Sequence, residues 1–353
     1  MHSIKSNITL SIKRIPCPLY LEKIIAKIKE RANIILNMRR QIMNILVMGG
    51  AGFLGTHLSH RLKEKGHNVI IIDLKGKFKQ IHTDLFSCYE CDIRKYEEFD
   101  KIKKEQDSIN VIYHLAAQTS GRISQEEPEL DVDTNVKGTL NVCRFAKEKK
   151  VKKIIFTSSM ATYGNYNDEI LESFVQRPVS NYGISKVCGE QYIRAYNQYD
   201  MNYTIYRLFN LFGPGQNLAN LKQGMASVFM TQSILSNNIK VTGSLDRYRD
   251  FIHVEDVVEA LILGLSSNTD NEVYNVGSSK KVTVSQLIDS ILEVNDKESS
   301  DFIIENIGSH EGDQFGSIAN IDKIRKLGWY PKKDFITGLR EMYEDAKKEL
   351  NKE

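Results

Sequence analysis

Residues 45–55 read Ile45-Leu46-Val47-Met48-Gly49-Gly50-Ala51-Gly52-Phe53-Leu54-Gly55, and this stretch decides the fold. Its four leading apolar residues predict a short buried strand, which turns into a helix that runs through Lys65. Gly49, Gly52 and Gly55 suit that turn because a tight bend favours residues without a Cβ. The backbone N–H groups at the start of the helix can then hold a pyrophosphate.

An acidic residue follows the glycine turn at the distance expected for a dinucleotide site. Asp73 ends a second predicted strand, Val69–Asp73, 18 residues after Gly55. There its carboxylate can accept hydrogen bonds from an adenosine ribose, and it repels the 2′-phosphate of NADP. The position therefore favours NAD, although Lys75 and Lys77 moderate the preference.

Strands and helices alternate beyond this point. Further strands are predicted at Val111–Leu115, Lys153–Thr157 and Thr204–Phe209, and helices at Tyr96–Lys104, Thr134–Lys149 and Tyr182–Asp200. Because each parallel strand requires a crossover connection, the pattern predicts an α/β fold with a Rossmann-type doubly wound parallel sheet. We divide the chain into a basic N-terminal extension (1–43), an NAD-binding domain (44–212) and a smaller, mainly substrate-binding lobe with returns to the sheet (213–353).

Charge is distributed unevenly along the chain. Residues 1–43 carry nine Lys or Arg against two Glu, whereas the whole chain has a formal net charge of +3. The remainder is therefore mildly acidic, which argues against binding to nucleic acid. Apolar residues at helical spacing in 21–28 are compatible with an amphipathic helix on an anionic membrane, a docked surface helix or a segment outside the fold. We expect the extension to be dispensable.

Neither a membrane span nor a metal site is predicted. The longest apolar runs, such as Val69–Ile72, fall far short of the ~20 residues that a spanning helix needs. Five scattered cysteines, an odd number, fit a reducing, cytoplasmic setting. Cys88-x-x-Cys91 matches half of a zinc or redox motif, but it lacks a second pair and leads into a strand-like Asp92–Ile93. His253-x-x-Asp256 is interpreted as structural.

Several short motifs occur together. They are the glycine turn, Asp92-Ile93-Arg94, His114–Gln118, Asn135, Thr157-Ser158-Ser159 and Tyr182-x-x-x-Lys186. In this order and spacing the chain resembles the extended short-chain dehydrogenase/reductase family, and within it the NAD-dependent nucleotide-sugar epimerase/dehydratase branch. The resemblance runs from about residue 44 to about residue 343. Each motif alone is weak evidence for the family, whereas all of them together in this order are specific to it.

The resemblance implies NAD contacts position by position. Phe53 and Leu54 would contact the pyrophosphate, and Asp92 and Ile93 would contact the adenine. The nicotinamide and its ribose would be contacted by Leu115, Ala116, Ala117, Thr119, Asn135 and Phe209. For each position the alternative is ordinary core or loop packing.

Tyr182 and Lys186 are the predicted catalytic pair. At positions i and i+4 they share one face of a helix. A phenol with a pKa of about 10 is a poor base at neutral pH, but a nearby ammonium and a positive nicotinamide ring favour the phenolate. Ser159, at the carboxyl end of an apolar strand, would pass the proton between a sugar oxygen and that phenolate. The alternative is an ordinary exposed Tyr–Lys pair.

The residues after Ser159 discriminate between reactions. The dehydratases of the family carry an Asp-Glu pair there, as acid and base for the elimination of water, whereas this chain has Met160-Ala161. Neither side chain can move a proton, so 4,6-dehydration is not expected.

Ser159, Asn210 and Arg249 are the expected contacts with a nucleotide-diphosphate sugar. By resemblance, Asn210 donates to a substrate phosphate and Arg249 clamps the diphosphate, for which a planar guanidinium is suited. An asparagine turn cap and a surface arginine are the alternatives. Where the family often has a second phosphate-binding arginine, this chain has His310, which is only partly charged at pH 7. The nucleotide and the sugar therefore stay unassigned.

The resemblance implies an NAD-dependent 4-epimerase of UDP-glucose/galactose or an N-acetyl relative, working through a transient 4-keto sugar in polysaccharide biosynthesis. One alternative is a C4 dehydrogenase of a GDP-, UDP- or CDP-sugar that does not complete epimerisation, and another is an NAD-binding protein without activity. Family members commonly dimerise through the Tyr182 helix and the helix near 134–149. A homodimer is expected, because that second helix is more apolar than solvent exposure requires at Val136, Leu140, Val142, Cys143 and Ala146.

Overall fold

The computed structural model describes residues 42–81, 83–166, 169–222, 224–308 and 315–350. Its strands are β1 (Asn44–Met48), β2 (Asn68–Asp73), β3 (Ser87–Glu90), β4 (Val111–His114), β5 (Lys153–Ser159), β6 (Glu169–Ile170), β7 (Asn202–Leu208), β8 (Asn210–Phe212), β9 (Asn238–Val241), β10 (Tyr248–Arg249), β11 (Phe251–His253), β12 (Glu272–Val276), β13 (Val282–Thr283), β14 (Ile303–Asn306) and β15 (Ile318–Ala319).

The α-helices are α1 (Phe53–Glu64), α2 (Asp100–Glu105), α3 (Gly121–Glu126), α4 (Pro128–Asp131), α5 (Gly138–Glu148), α6 (Asn181–Ala195), α7 (Met225–Leu235), α8 (Val254–Leu263), α9 (Val284–Val294), α10 (Asp322–Arg325) and α11 (Phe335–Leu350). A π-helical turn, Val132–Lys137, joins α4 to α5. Short 3-10 turns lie at Lys77–Gln80, Thr83–Leu85, Tyr96–Phe99, Met160–Thr162, Tyr196–Tyr199, Ser267–Thr269 and Ser299–Asp301.

Seven parallel strands form the main sheet, in the order β12-β7-β5-β4-β1-β2-β3. Because β1 lies between β2 and β4, the chain winds outward on one side and then returns to wind on the other. The predicted α/β fold with a doubly wound Rossmann-type sheet is confirmed. A crevice is expected where the strand order reverses, outside the carboxyl ends of β1 and β4, which is where this class of fold binds ligands.

Both faces of the sheet are covered, which explains why its strands are continuous apolar runs. Side chains alternate along a strand, so Val47 packs with Leu58 of α1 on one face, whereas Leu46 and Met48 pack with Phe145 of α5 on the other. All five residues are fully buried. The apolar stretch that decides the fold is therefore the centre of a three-layer core.

Two local predictions are wrong. Asp92–Ile93 is not strand-like: the edge strand β3 ends at Glu90, and Asp92 begins a turn because its carboxylate accepts the backbone N–H of Arg94 at 3.0 Å. The helix predicted at 134–149 also begins as a π-helical turn rather than as an α-helix. At the half motif, burial raises the pKa of the Cys91 thiol to about 12 and also raises the pKa of the Cys88 thiol, so the thiolate form is disfavoured at both positions.

The apolar face that we assigned to a dimer contact is partly wrong. Val142, Cys143 and Ala146 are fully buried in the core beneath the sheet, so they are not available to a second copy. On the surface nearby, Val132 and Ile184 are large apolar side chains with exposed fractions of 58% and 49%.

The C-terminal part contributes β12 to the main sheet and builds a second core of its own. That core includes Phe229 of α7, Leu287 and Ile291 of α9 and Leu339 of α11. The described residues also form four two-stranded sheets, which pair β8 with β11, β10 with β13, β9 with β14 and β6 with β15. Among the described helices, none is long and apolar enough to cross a membrane.

Candidate active site

The glycine turn lies at the carboxyl end of β1, and its shape depends on missing side chains. Gly49 has φ +78°, and a Cβ there would lie 2.7 Å from the backbone nitrogen of Ala116 in the loop after β4. A Cβ on Gly55 would collide with the carbonyl oxygen of Gly49. Gly52 is the N-cap of α1 and brings no side chain to the first-turn N–H groups. The turn therefore fits an incoming pyrophosphate at the backbone of Phe53 and Leu54.

Asp73 lies beside this turn, as the last residue of β2. Its carboxylate accepts the N–H of Ala51 at 3.0 Å and that of Leu74 at 2.8 Å. Burial raises the pKa of the Asp73 carboxyl group, and the backbone hydrogen bonds oppose that rise. The site thus offers an oriented carboxylate next to a helix N-terminus, and this arrangement suits the ribose of NAD.

Asp92 and Ile93 lie in the loop after β3. The Asp92 carboxylate forms an ion pair with Arg94 at 2.7 Å, and its pKa is lowered mainly by that guanidinium. Ile93 packs so closely on α5 that a Cβ at Gly138 would lie 2.7 Å from its Cδ1. Asn141 also donates to the Ile93 carbonyl at 2.9 Å. This loop is held rigidly, and its contact with an adenine stays a prediction.

The loop after β4 carries the residues predicted to line the nicotinamide ribose, namely Leu115, Ala116, Ala117 and Thr119. Asn135, in the π-helical turn, holds this loop. It accepts the N–H of Gln118 at 2.9 Å and donates to the Gln118 carbonyl and to Ser185 Oγ, both at 2.9 Å. Asn135 therefore connects the loop to α6, the helix of the predicted catalytic pair.

The structure brings Ser159 and the Tyr182 helix to the same edge of the sheet. α6 can approach β5 closely because a Cβ at Gly183 would lie 2.6 Å from the Ala161 carbonyl, and one at Gly189 would lie 2.9 Å from the Phe156 ring. Ser180 caps the helix by accepting the N–H of Gly183 at 3.1 Å. Tyr182 is half-buried at the start of this helix.

Lys186 is a buried ammonium that the protein leaves largely unsatisfied. It is 3% exposed and lies 4.4 Å from the centre of the Phe156 ring. In the described part of the chain it makes neither a hydrogen bond nor an ion pair. A buried cation of this kind is expected to meet polar groups of a ligand, because burial without partners is costly.

Desolvation dominates the acid–base chemistry of the pair. Burial raises the pKa of Tyr182 to about 12, and hydrogen bonding to Ser159 opposes that shift. Burial lowers the pKa of Lys186 to about 8, against the charges of Glu190 and Asp131. In the protein without a cofactor, desolvation therefore outweighs any effect of Lys186 on the pKa of Tyr182. A positively charged ligand beside the phenol would supply the missing effect.

Two buried carboxylates near this pair were missed from the sequence. Asp131 is fully buried, accepts Gln118 Nε2 at 2.6 Å and also accepts the hydroxyl of Ser124. Glu190 is also fully buried, and it lies one turn after Lys186 on α6. The i, i+4 spacing from Lys186 was a signal for Glu190, whereas nothing local predicted that Asp131 would be buried.

Of the predicted substrate residues, Ser159 ends β5, Asn210 begins β8 and Arg249 lies on β10, whereas Phe209, a predicted NAD contact, lies between β7 and β8. Arg249 is 7% exposed and donates to the carbonyls of Tyr248 at 2.8 Å and Phe315 at 3.2 Å. Its pKa is lowered to about 10 by burial and by the neighbouring Arg247. Asn210 Nδ2 donates to the Asp250 carbonyl at 3.3 Å. Phe209 is buried, and His310 lies outside the described residues.

Among the described residues, one group has the composition of a metal site: His253, Glu255 and Glu341. Lys333 already lies there, with its ammonium 3.0 Å from Glu255 and 2.7 Å from Glu341. The nearby Asp256 carboxylate accepts the backbone N–H groups of residues 332 and 333. These contacts support the structural interpretation of the His253-x-x-Asp256 motif.

The chain is similar to known proteins in sequence and in fold. The NAD dependent epimerase/dehydratase family model matches residues 45–277. A Methanocaldococcus jannaschii protein provisionally named UDP-glucose 4-epimerase is 34% identical, covering 84% of this chain and 96% of its own. Human dTDP-D-glucose 4,6-dehydratase is 29% identical, covering 85% and 89%. The crystal structure of Thermotoga maritima UDP-glucose 4-epimerase with UDP-glucose has a TM-score of 0.81 at 33% identity, covering 87% of this chain and 100% of that one.

Proposed function

The chain belongs to the NAD-dependent epimerase/dehydratase family, and we propose that it is a nucleotide-sugar 4-epimerase. The observation that carries this choice is Met160-Ala161, which directly follows Ser159. The Met160 thioether accepts the Ser317 hydroxyl at 3.2 Å, and the Ala161 N–H donates to Ser159 Oγ at 3.2 Å. Neither side chain can act as the acid or base that the elimination of water requires.

The proposed reaction begins with removal of a proton from the C4 hydroxyl. The Tyr182 phenolate accepts that proton, with Ser159 as the relay, and Lys186 keeps a positive charge one helical turn away. NAD, when bound, supplies the acceptor and the donor for the C4 hydride. The 4-keto sugar must turn over in the site before the hydride returns, and Tyr182 then gives the proton back. Turnover therefore consumes no cofactor.

A nucleotide-diphosphate sugar is the proposed substrate, with UDP-glucose/galactose or an N-acetyl relative as the first candidates. The UDP-sugar bound to the Thermotoga relative supports this class. Arg249 and Arg247 are both buried, and Arg247 disfavours the charge of Arg249. An anionic diphosphate beside them would relieve that repulsion, and Arg249 remains the proposed clamp, with Asn210 beside it. NAD is favoured over NADP by Asp73.

We also propose that the protein forms a homodimer through the α6 surface. Val132 and Ile184 are the observations that support it, since both are large apolar side chains exposed close to α6 and the π-helical turn. They take the place of the buried residues that the sequence had suggested.

A panel of UDP-, GDP- and CDP-sugars tests the proposed function. Each is incubated with purified protein, while absorbance at the NADH band and the identity of the product sugar are followed together. We expect one nucleotide class to give a sugar inverted at C4, with no 4-keto-6-deoxy product. A 4-keto-6-deoxy sugar would contradict the argument from Met160-Ala161. Accumulating NADH with no inverted sugar would favour the C4 dehydrogenase.

A further inference from the structure

A fully buried carboxylate joins three elements behind the catalytic pair. Glu190, on α6, accepts Ser158 Oγ–H at 2.6 Å. It also accepts Nε and Nη2 of Arg207, from β7, at 2.9 and 2.8 Å. Arg194 lies 3.8 Å from the same carboxylate. The helix α6 and the strands β5 and β7 therefore meet at one side chain.

Glu190 is connected to the reacting residues from two directions. Ser158 precedes Ser159 in β5, and successive side chains of a strand point to opposite faces. A hydrogen bond to Ser158 therefore fixes the strand end from which Ser159 projects. Lys186 lies one turn before Glu190 on the same face of α6. A single carboxylate links the strand of Ser159 to the helix of Tyr182 and Lys186.

Charge gives Glu190 a second effect on this site. The groups that act on the Lys186 ammonium are Glu190 from α6, Asp131 from α4, His114 from β4 and the Phe156 ring from β5, and Tyr182 lies one turn earlier on α6. His114 is neutral, because burial lowers its pKa to about 3. The two carboxylates are therefore the charges in this set that favour protonated Lys186.

We propose that Glu190 is a positioning residue for oxidation of the sugar: it holds Ser159 against Tyr182 through Ser158, and it keeps Lys186 protonated. This inference rests on the proposed roles of Tyr182 and Lys186. A hydrogen bond that merely stabilised the fold would hold Ser159 in place without affecting the protonation of Lys186. The protonation of Lys186 is therefore the property that separates the two interpretations.

Glu190→Gln tests the charge, because it keeps the shape of the side chain and removes its negative charge. Without that charge the protonated form of Lys186 is less stable, so its pKa falls. The alkaline limb of kcat, meaning the loss of kcat as pH rises, should therefore move to lower pH by about one unit. A structural defect alone would lower kcat equally at every pH. Glu190→Asp keeps the charge with a shorter reach, so it should restore the limb while kcat stays low.

Ser158→Ala is the matched control for the hydrogen bond between Ser158 and Glu190. It leaves the Glu190 charge in place and removes the link to β5, so kcat should fall with the alkaline limb unmoved. An unchanged kcat in both Ser158→Ala and Glu190→Asp would contradict the positioning role. That result decides the question even where Glu190→Gln does not fold.

Direct titration of Lys186 needs no substrate, so it can fail independently of the proposed function. NMR of protein labelled with ¹³Cε-lysine follows each ammonium, and the Lys186 signal is identified by its loss in Lys186→Arg. We expect a midpoint of about 8 in the wild type and a lower one in Glu190→Gln. Equal midpoints, together with an unmoved alkaline limb in a folded Glu190→Gln protein, would overturn the proposal.

Discussion

A buried lysine lies near each end of strand β5, and the two lysines differ in whether the fold supplies hydrogen-bonded partners for the ammonium group. At the amino end, Lys153 is 6% exposed and donates to the Ser266 carbonyl and Thr269 Oγ1, both at 2.9 Å, and to Asp270 at 2.5 Å. At the carboxyl end, Lys186 is 3% exposed and lies over an aromatic ring. Burial lowers the pKa of both ammonium groups.

The difference separates a structural cation from a functional one. Lys153 has its partners within the fold, so its charge stabilises the connection between β5 and residues 266–270. Lys186 has nearby carboxylates that favour its charge but, within the described residues, no hydrogen-bonded partner. A buried charge left in this state weakens the fold unless a ligand completes it. Burial alone therefore does not identify a functional cation, whereas a buried ammonium without a hydrogen-bonded partner is a candidate for one.

The largest expected effect is that of Tyr182→Phe. This variant loses only the proton acceptor, so kcat should fall by about 10³-fold while bound NAD is retained. Turnover of the nucleotide-sugar and the NAD content of the purified variant are the measurements. Near-wild-type turnover would show that Tyr182 is not the proton acceptor. The functional interpretation of Lys186 at the carboxyl end of β5 would then be unsupported as well.

Replacing each lysine by methionine tests the comparison itself. Lys186→Met should lower kcat by about 10²-fold and leave the free energy of unfolding unchanged or higher, because an unsatisfied buried ammonium is removed. Lys153→Met removes the ion pair of the Asp270 carboxylate, which keeps its hydrogen bond from Asn202, and should destabilise the fold by about 1–3 kcal/mol with kcat near wild type. Denaturant unfolding and steady-state kinetics measure both. The opposite pattern would invalidate the distinction between the two ends.

Assembly is expected to have a smaller effect on the reaction. Ile184 projects from α6 between Tyr182 and Lys186 but away from the protein interior, so Ile184→Lys should separate the dimer and change kcat by no more than a few fold. Sedimentation at micromolar concentration should show a wild-type dimer and a monomeric variant. A wild-type monomer would refute the proposed interface.

Deletion of residues 1–42 is expected to have the smallest effect. β1 begins at Asn44 and pairs with β2 and β4, so both ends of β5 should be unaffected. Circular dichroism and turnover of the truncated chain should match those of the full chain. An insoluble or inactive truncation would show that the extension contributes to the fold or the site.

Features encoded in short stretches could be predicted from the sequence. The strand–glycine–helix turn at Gly49–Gly55, the carboxylate at the end of β2 and the i, i+4 spacing of Tyr182 and Lys186 each depend on residues that are close along the chain. The doubly wound parallel sheet followed from the alternation of strands and helices, because each parallel strand requires a crossover connection.

Features that depend on tertiary environment were missed or misjudged. The turn at Asp92 depends on a side-chain hydrogen bond that competes with the strand. Apolar periodicity did not distinguish core from interface at Val142 and Ala146, because both environments favour the same side chains. The pKa of Tyr182 follows from desolvation by surrounding elements, and the Glu190–Arg207 pair joins residues from a helix and a strand.

Return of the hydride is the most direct test of the central claim. The substrate is the accepted nucleotide-sugar deuterated at C4, incubated for many turnovers without added NAD. We predict that the C4-inverted sugar appears, that it retains deuterium at C4 and that absorbance at the NADH band does not accumulate. If no inverted sugar forms while enzyme-bound reduced cofactor builds up, the protein is a C4 dehydrogenase and the epimerase account is wrong.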